Sequence, residues 1–216
     1  MKRPAGNPAT FDLETVSITL GEWPVAGVDE AGRGPWAGPV VAAAVCLDPD
    51  DLPLGLADSK LLDAGSREAA YAAIRKRPKI QVGVGIGDVE RIDRDNILHA
   101  TMWAMGEAVA ALGVRPKLVL IDGNRAPRLS IPTRTIISGD RFCLSIAAAS
   151  IIAKITRDRM MVELAREYPG YGFERHKGYG TPEHAATLTR LGVCPIHRRS
   201  FKPVQMALGL VESDRV

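Results

Sequence analysis

Cysteine is scarce in this chain of 216 residues. Cys46, Cys143 and Cys194 stand far apart, their number is odd, and no Cys-x-x-Cys pair occurs. That excludes a disulfide scaffold and a cysteine-based zinc site, and it fits a reducing, cytoplasmic setting. Long apolar runs are missing as well. No stretch of about eighteen apolar residues exists, so nothing reads as a membrane span. The N-terminal MKRPAGNPATFDLETVS lacks the apolar segment of a secretory signal and reads as a short frayed lead-in. Gly83, Gly85 and Gly87 fall in an apolar run without the G-x-G-x-x-G spacing, and no helix starts inside it, so a dinucleotide loop is rejected. Internal repeats and low-complexity segments are absent.

What remains is an ordinary core-forming composition, 46% hydrophobic and 25% charged, with a net charge of only +3. The charge is unevenly spread. From Arg166 onward Arg175, His176, Lys177, Arg190, His197, Arg198, Arg199 and Lys202 face few acids. A basic C-terminal third suits a polyanionic substrate, although a solvated basic face is the plainer reading of charge alone.

The stretch VAGVDEAGRGPWAGPVVAAAV, Val25 to Val45, organises the chain. Trp23–Glu30 and Val40–Leu47 read as consecutive strands joined by a Gly/Pro-rich loop. Further strands are expected at Ile80–Ile86, Lys117–Ile121 and Thr133–Ile137. Helical spacing marks a helix after Ser66, its expected N-cap, with Ala69, Ala70, Ala73 and Ile74 on one face. It also marks Asp88–Leu112, with a break around Asp93 to Asn96, and a long helix from Leu144 that begins in the core and emerges. YGFERHKGYGTPEH reads as a loop, followed by a helix at Pro182–Leu191 and one more short helix in the tail. The expected fold class is α/β: a mixed five-stranded sheet flanked by helices. No linker is long enough to force a domain boundary.

Asp29, Asp122 and Asp140 each follow a strand-like run, in VAGVDE, LVLIDG and TIISGD. Singly, each reads as a turn or cap residue, Asp140 above all as the N-cap of the helix behind it. Together with Glu30 they form a set of strand-end carboxylates that suits magnesium-type ions and phosphodiester chemistry.

These segments carry a resemblance. GVDEAGRGPWAGPVVAAAV, DSK, NILHATMWAM, VLIDGN, SGD, SIAAASIIAKITRDRMM, YGFERHKGYGT and HRRSF, in this order, closely resemble the ribonuclease HII family. The resemblance implies an RNase H-like fold, with a catalytic domain at 23–180 between a lead-in at 1–22 and a small helical extension at 181–216, and a monomeric enzyme dependent on Mg2+ or Mn2+. It implies an endonuclease that cuts RNA within RNA–DNA hybrids and incises 5′ of a ribonucleotide in duplex DNA, leaving 3′-hydroxyl and 5′-phosphate ends. Its metal-site acids fall on Asp29, Glu30, Asp122 and Asp140. Its ribose-sensing loop falls on Gly32, Arg33 and Gly34, and its sugar-packing tyrosine on Tyr179, with nearby Tyr171 left to structure. Lys60, Ser150, Lys154, Lys177 and Arg199 lie in matched motifs as phosphate contacts, with Lys154 open to a snorkelling role. His176 and His197 are open between structure and phosphate contact. Leu61 stands where the family usually has a second lysine, and Trp36 where it has an aliphatic residue. A clamp-binding motif is not evident in GLVESDRV. The rivals are a DNA-cutting nuclease or integrase of the same fold and a catalytically silent binding protein.

Overall fold

A computed structural model describes residues 9–53, 56 and 62–211. Lys60, the Leu61 departure and the last residues of GLVESDRV lie outside them. Five strands, β1 (Val25–Ala31), β2 (Val40–Cys46), β3 (Gln81–Gly87), β4 (Leu118–Asp122) and β5 (Thr133–Ile136), form one sheet in the order β3-β2-β1-β4-β5. The first three pair antiparallel, while β1, β4 and β5 run parallel. The expected mixed sheet is therefore present, with the chain reversal between β1 and β2 at its centre.

Every residue of β2, VVAAAVC, is buried, because helices cover both faces of the sheet. On one face Ala26, Val28, Ala42 and Ala44 meet Ala104, Met105 and Ala108 of α3 (Val89–Ala110). On the other, Ala43 and Val45 meet Ala147, Ile151 and Ile152 of α4 (Leu144–Glu167), with Ile74 of α2 (Ala64–Arg75) beyond. The strands carry small residues where the helices come closest. A Cβ on Gly85 would lie 2.0 Å from the Ala104 carbonyl oxygen, and one on Gly27 2.2 Å from the Ser145 backbone. Gly85 of β3 and Gly27 of β1 thus serve helix packing, and each apolar side chain so buried contributes about 1.5–3 kcal/mol.

Three expectations about helices change. Asp63, not Ser66, caps α2, its side chain accepting from the Ser66 amide at 2.7 Å, and Ala69 is exposed while Ala70 and Ile74 are buried. The supposed frayed lead-in contains α1 (Asp12–Thr19), and the expected loop after Tyr171 contains the short α5 (Phe173–His176). The break in α3 is real: Asn96 has φ 66 and ψ 164, and its Oδ1 accepts from the Leu98 and His99 amides, recapping the helix.

Helix α1 inverts the usual amphipathic pattern. Leu13, Val16 and Leu20 are exposed, whereas Glu14 and Ser17 are buried. Glu14 is buried because α4 lacks a side-chain cap of its own, Cys143 being its N-cap. The Glu14 carboxylate accepts from the Ser145 amide at 2.7 Å and from the Cys143 thiol at 3.1 Å, placing a negative charge at the N-terminal end of the helix dipole.

The chain after Gly180 forms α6 (Pro182–Leu191) and α7 (Lys202–Ala207) and is knitted to the loop after β1. Trp36 receives the Arg198 amide on its carbonyl and donates its own amide to Gly178, and Gly38 donates to Ile196. Trp36 also packs against Gly180 and the His184 ring.

Candidate active site at the ends of β1 and β4

The parallel pairing of β1 with β4 sets Val28 opposite Ile121. The next residues, Asp29 and Asp122, therefore emerge side by side on strands about 5 Å apart. Asp29 is only 4% exposed. Burial raises its pKa well above the usual carboxylate range, and the charges of Glu30 and Asp122 push the same way. Hydrogen bonds from the Glu30 amide, at 2.7 Å, and from Ser150 oppose them. Glu30 is also raised by burial, against the pull of Arg33, whose Nη1 lies 3.3 Å from Oε1.

Asp122 is joined to the fourth acid through the backbone. Its Oδ1 accepts from the Gly139 amide at 2.7 Å, and Gly139 opens the 3-10 turn Gly139–Arg141 that holds Asp140. Asp140 is 3% exposed and lies in that turn; the N-cap of α4 is Cys143, so the capping reading of Asp140 is set aside. A cavity of about 260 Å3 opens here, lined by Glu30, Arg33, Met102, Asp122, Asn124 and Arg125 among others.

The donor chemistry fits a hard divalent cation: carboxylate oxygens, with Asp29 destabilised in its charged form by burial and like charges. The set is open as it stands, with Glu30 turned to Arg33 and Asp122 to Gly139. Among the described residues no three acidic, histidine or cysteine side chains are gathered closely enough to enclose a metal ion.

The Gly32–Gly34 loop leaves β1 beside these acids. Gly32 has φ +96, and a Cβ there would lie 2.0 Å from Nε of Arg157. Gly34 is open: the nearest atom to its would-be Cβ is Cε1 of Tyr179, at 3.9 Å. The Tyr179 ring is 43% exposed, so Gly34 and the tyrosine lie side by side at the surface. Tyr171 is buried instead, its hydroxyl donating to the Gly192 carbonyl at 2.9 Å, in keeping with a structural role.

Other expected contacts divide. Ser150 reaches Asp29. Lys154, one turn further along α4, forms an ion pair with Asp158 at 2.6 Å. The Lys177 amine donates to the Glu174 carbonyl. Arg199 is exposed, with its backbone amide on Asp93. His176 and His197 are buried and bonded to the main chain, in keeping with the structural alternative.

Sequence reading missed Arg157 and counted Arg198 among surface cations. Both are buried, 1% and 0% exposed, and hold the loop after β1 from beneath. The available signal was helical phase: Arg157 continues the buried row Ala149, Ala153 and leads to buried Met161 at four-residue spacing.

The family model described as Ribonuclease HII matches residues 26–204. A ribonuclease HII of Rhizorhabdus wittichii is 57% identical over 195 residues, covering 90% of this chain and 94% of that protein. The crystal structure of ribonuclease H2 from Pyrococcus horikoshii OT3 is similar with a TM-score of 0.72 and 26% identity, covering 85% of this chain and 96% of that one. Bst-RNase HIII in complex with Mn2+ shares the fold at a TM-score of 0.68 and 20% identity, covering 90% of this chain and 72% of that one. The chain belongs to the ribonuclease HII family, endonucleases that hydrolyse the RNA strand of RNA–DNA hybrids.

Proposed function

We propose that this enzyme is dependent on Mg2+ or Mn2+ and incises 5′ of single ribonucleotides in duplex DNA as well as cutting hybrids. The observation that carries the reading is the adjacency of Asp29, Glu30 and Asp122 to an open glycine loop beside Tyr179. Asp29, Glu30, Asp122 and Asp140 would hold the ion or ions. When bound, a divalent cation supplies positive charge against the phosphodiester and lowers the pKa of a water. The solved Mn2+ complex of the related-fold Bst-RNase HIII is consistent with such a site.

The chain's own groups do the rest. Gly34, without a Cβ, lets a sugar approach its backbone, where a 2′-hydroxyl is both donor and acceptor. The exposed Tyr179 ring packs against a sugar, and the basic groups Arg33 and Arg125 beside the cavity face the phosphates. Water attacks phosphorus, and the bond to the 3′-oxygen of the upstream nucleotide breaks. That oxygen takes a proton and leaves as a 3′-hydroxyl, while the phosphate stays on the 5′ side of the ribonucleotide. The protein works as a monomer in the cytoplasm on this reading; among the described residues no helix is long and apolar enough to cross a membrane.

Mapping the ends produced from a duplex with one ribonucleotide tests this. A single cut 5′ of the ribonucleotide, in Mg2+ or Mn2+ and not in EDTA, with an all-DNA duplex intact, supports it. Cutting of the all-DNA duplex favours the rival DNA nuclease, and binding without cutting the silent protein.

A further inference from the structure

Two guanidinium groups lie beneath the Gly32–Pro39 loop, and the hydrogen bonds recorded for them all go to main-chain carbonyls rather than to carboxylates. Arg157 donates to Pro39 at 2.9 Å, Lys177 at 3.0 Å and Ala37 at 3.1 Å. Arg198 donates to Gly32 at 2.6 Å, Gly38 at 2.9 Å, Arg33 at 3.0 Å and Pro39 at 3.1 Å. Arg157 also lies under Tyr179, with its guanidinium carbon 5.9 Å from the ring centroid. Burial pushes the Arg157 pKa down to about 10; burial, and then the neighbouring Arg157 charge, push that of Arg198 down to about 9. An apolar side chain of similar volume would fill this space without the desolvation penalty. Only a planar fork of donors can gather so many carbonyls at once.

Gathering them has a consequence on the opposite side of the loop. In a trans peptide the N–H points away from the C=O of the same unit, and the one cis bond among the described residues, Trp23–Pro24, lies elsewhere. With the carbonyls of Gly32 and Arg33 drawn inward to Arg198, the amides of Arg33 and Gly34 face outward, and these two residues are the exposed ones.

We propose that Arg157 and Arg198 are positioning residues that fix the ribose-sensing loop against Tyr179, so that its outward amides meet the sugar at a set height above the acids. This rests on the reading of Gly32–Gly34 as the ribose sensor. The two arginines touch no reacting atom; they act through the loop.

The test compares Arg157→Lys and Arg198→Lys with wild type on a duplex carrying one ribonucleotide and on its all-DNA twin, with rates expressed per folded molecule. Lysine keeps the charge and loses the fork. We expect kcat to fall about a hundredfold, as a displacement of about 1 Å can cost, while KM stays within about threefold because the cation remains. Unchanged kcat per folded molecule overturns the proposal. If either variant fails to fold, wild-type NMR decides: the Nε–H protons of both arginines exchange slowly at pH 7.5, and exchange as fast as that of exposed arginines overturns it. A wild type that ignores the ribonucleotide fails the underlying reading. A wild type that requires it, with fully active lysine variants, fails the positioning alone.

Discussion

The Nε2 atoms of His184 and His197 face each other at 3.1 Å, and the surrounding bonds decide which one carries the proton. Nδ1 of His184 meets the Tyr179 carbonyl at 3.0 Å, so it must be the donor and its Nε2 the acceptor. His197 then donates from Nε2, and its Nδ1 accepts from the Cys194 amide at 3.0 Å. With both rings neutral, the form that burial favours for each, these bonds make a consistent relay, and it ends on the backbone of Tyr179.

That relay predicts acid sensitivity. Burial, then the neighbouring His184, lowers the His197 pKa to about 4, and burial lowers that of His184. A histidine depressed in the fold contributes stability in full above its unfolded value and loses it as pH falls through the folded one. Stability should therefore drop between about pH 6.5 and 4, by about 3 kcal/mol from His197 alone. Urea midpoints across this range check it, and His197→Asn should flatten the slope.

Two glycines two residues apart should behave differently. Gly32→Ala places a Cβ 2.0 Å from Arg157 Nε on a backbone with φ +96, and should destabilise by about 3 kcal/mol. Gly34→Ala meets nothing nearer than 3.9 Å and should leave the melting temperature unchanged while cleavage at a ribonucleotide falls. Melting curves beside cleavage rates separate the two.

On the proposed reading, Asp29 is a functional group kept at a cost to stability. Its pKa is raised in the fold, so the fold loses stability as pH rises past the ordinary carboxylate range. Asp29→Asn should melt higher than wild type in EDTA at pH 8 and lose that advantage near pH 4. Mg2+ should raise the wild-type melting temperature more than that of the variant. Calorimetric melts with and without Mg2+ measure both.

The two loop tyrosines should also part. Tyr171→Phe removes the bond to Gly192 and should cost about 1 kcal/mol without affecting the rate. Tyr179→Ala should change stability by under about 0.5 kcal/mol, as for exposed sites, and depress incision.

What was legible in the sequence followed from local signals. Strand periodicity with a carboxylate at the end placed Asp29 and Asp122, and the β-branched run before Gly139 placed Asp140 near them. The same reasoning found α3, its break at Asn96, and α4. It failed where the environment inverts the usual rule. Helix α1 buries Glu14 and Ser17 and exposes its aliphatic residues, because α4 needs a cap from elsewhere. Arg198, in a run that reads as a basic surface, is buried because carbonyls of a loop 160 residues earlier converge on it. Such convergence is tertiary and leaves no periodicity.

The most direct measurement of the central claim is single-turnover cleavage of a duplex with one ribonucleotide by wild type, Asp29→Asn, Asp122→Asn and Asp140→Asn, with binding measured in parallel. The account predicts duplex affinity close to wild type in all three variants and cleavage abolished in each. Wild-type-like cleavage by any of them would contradict the assignment of that carboxylate to the reaction.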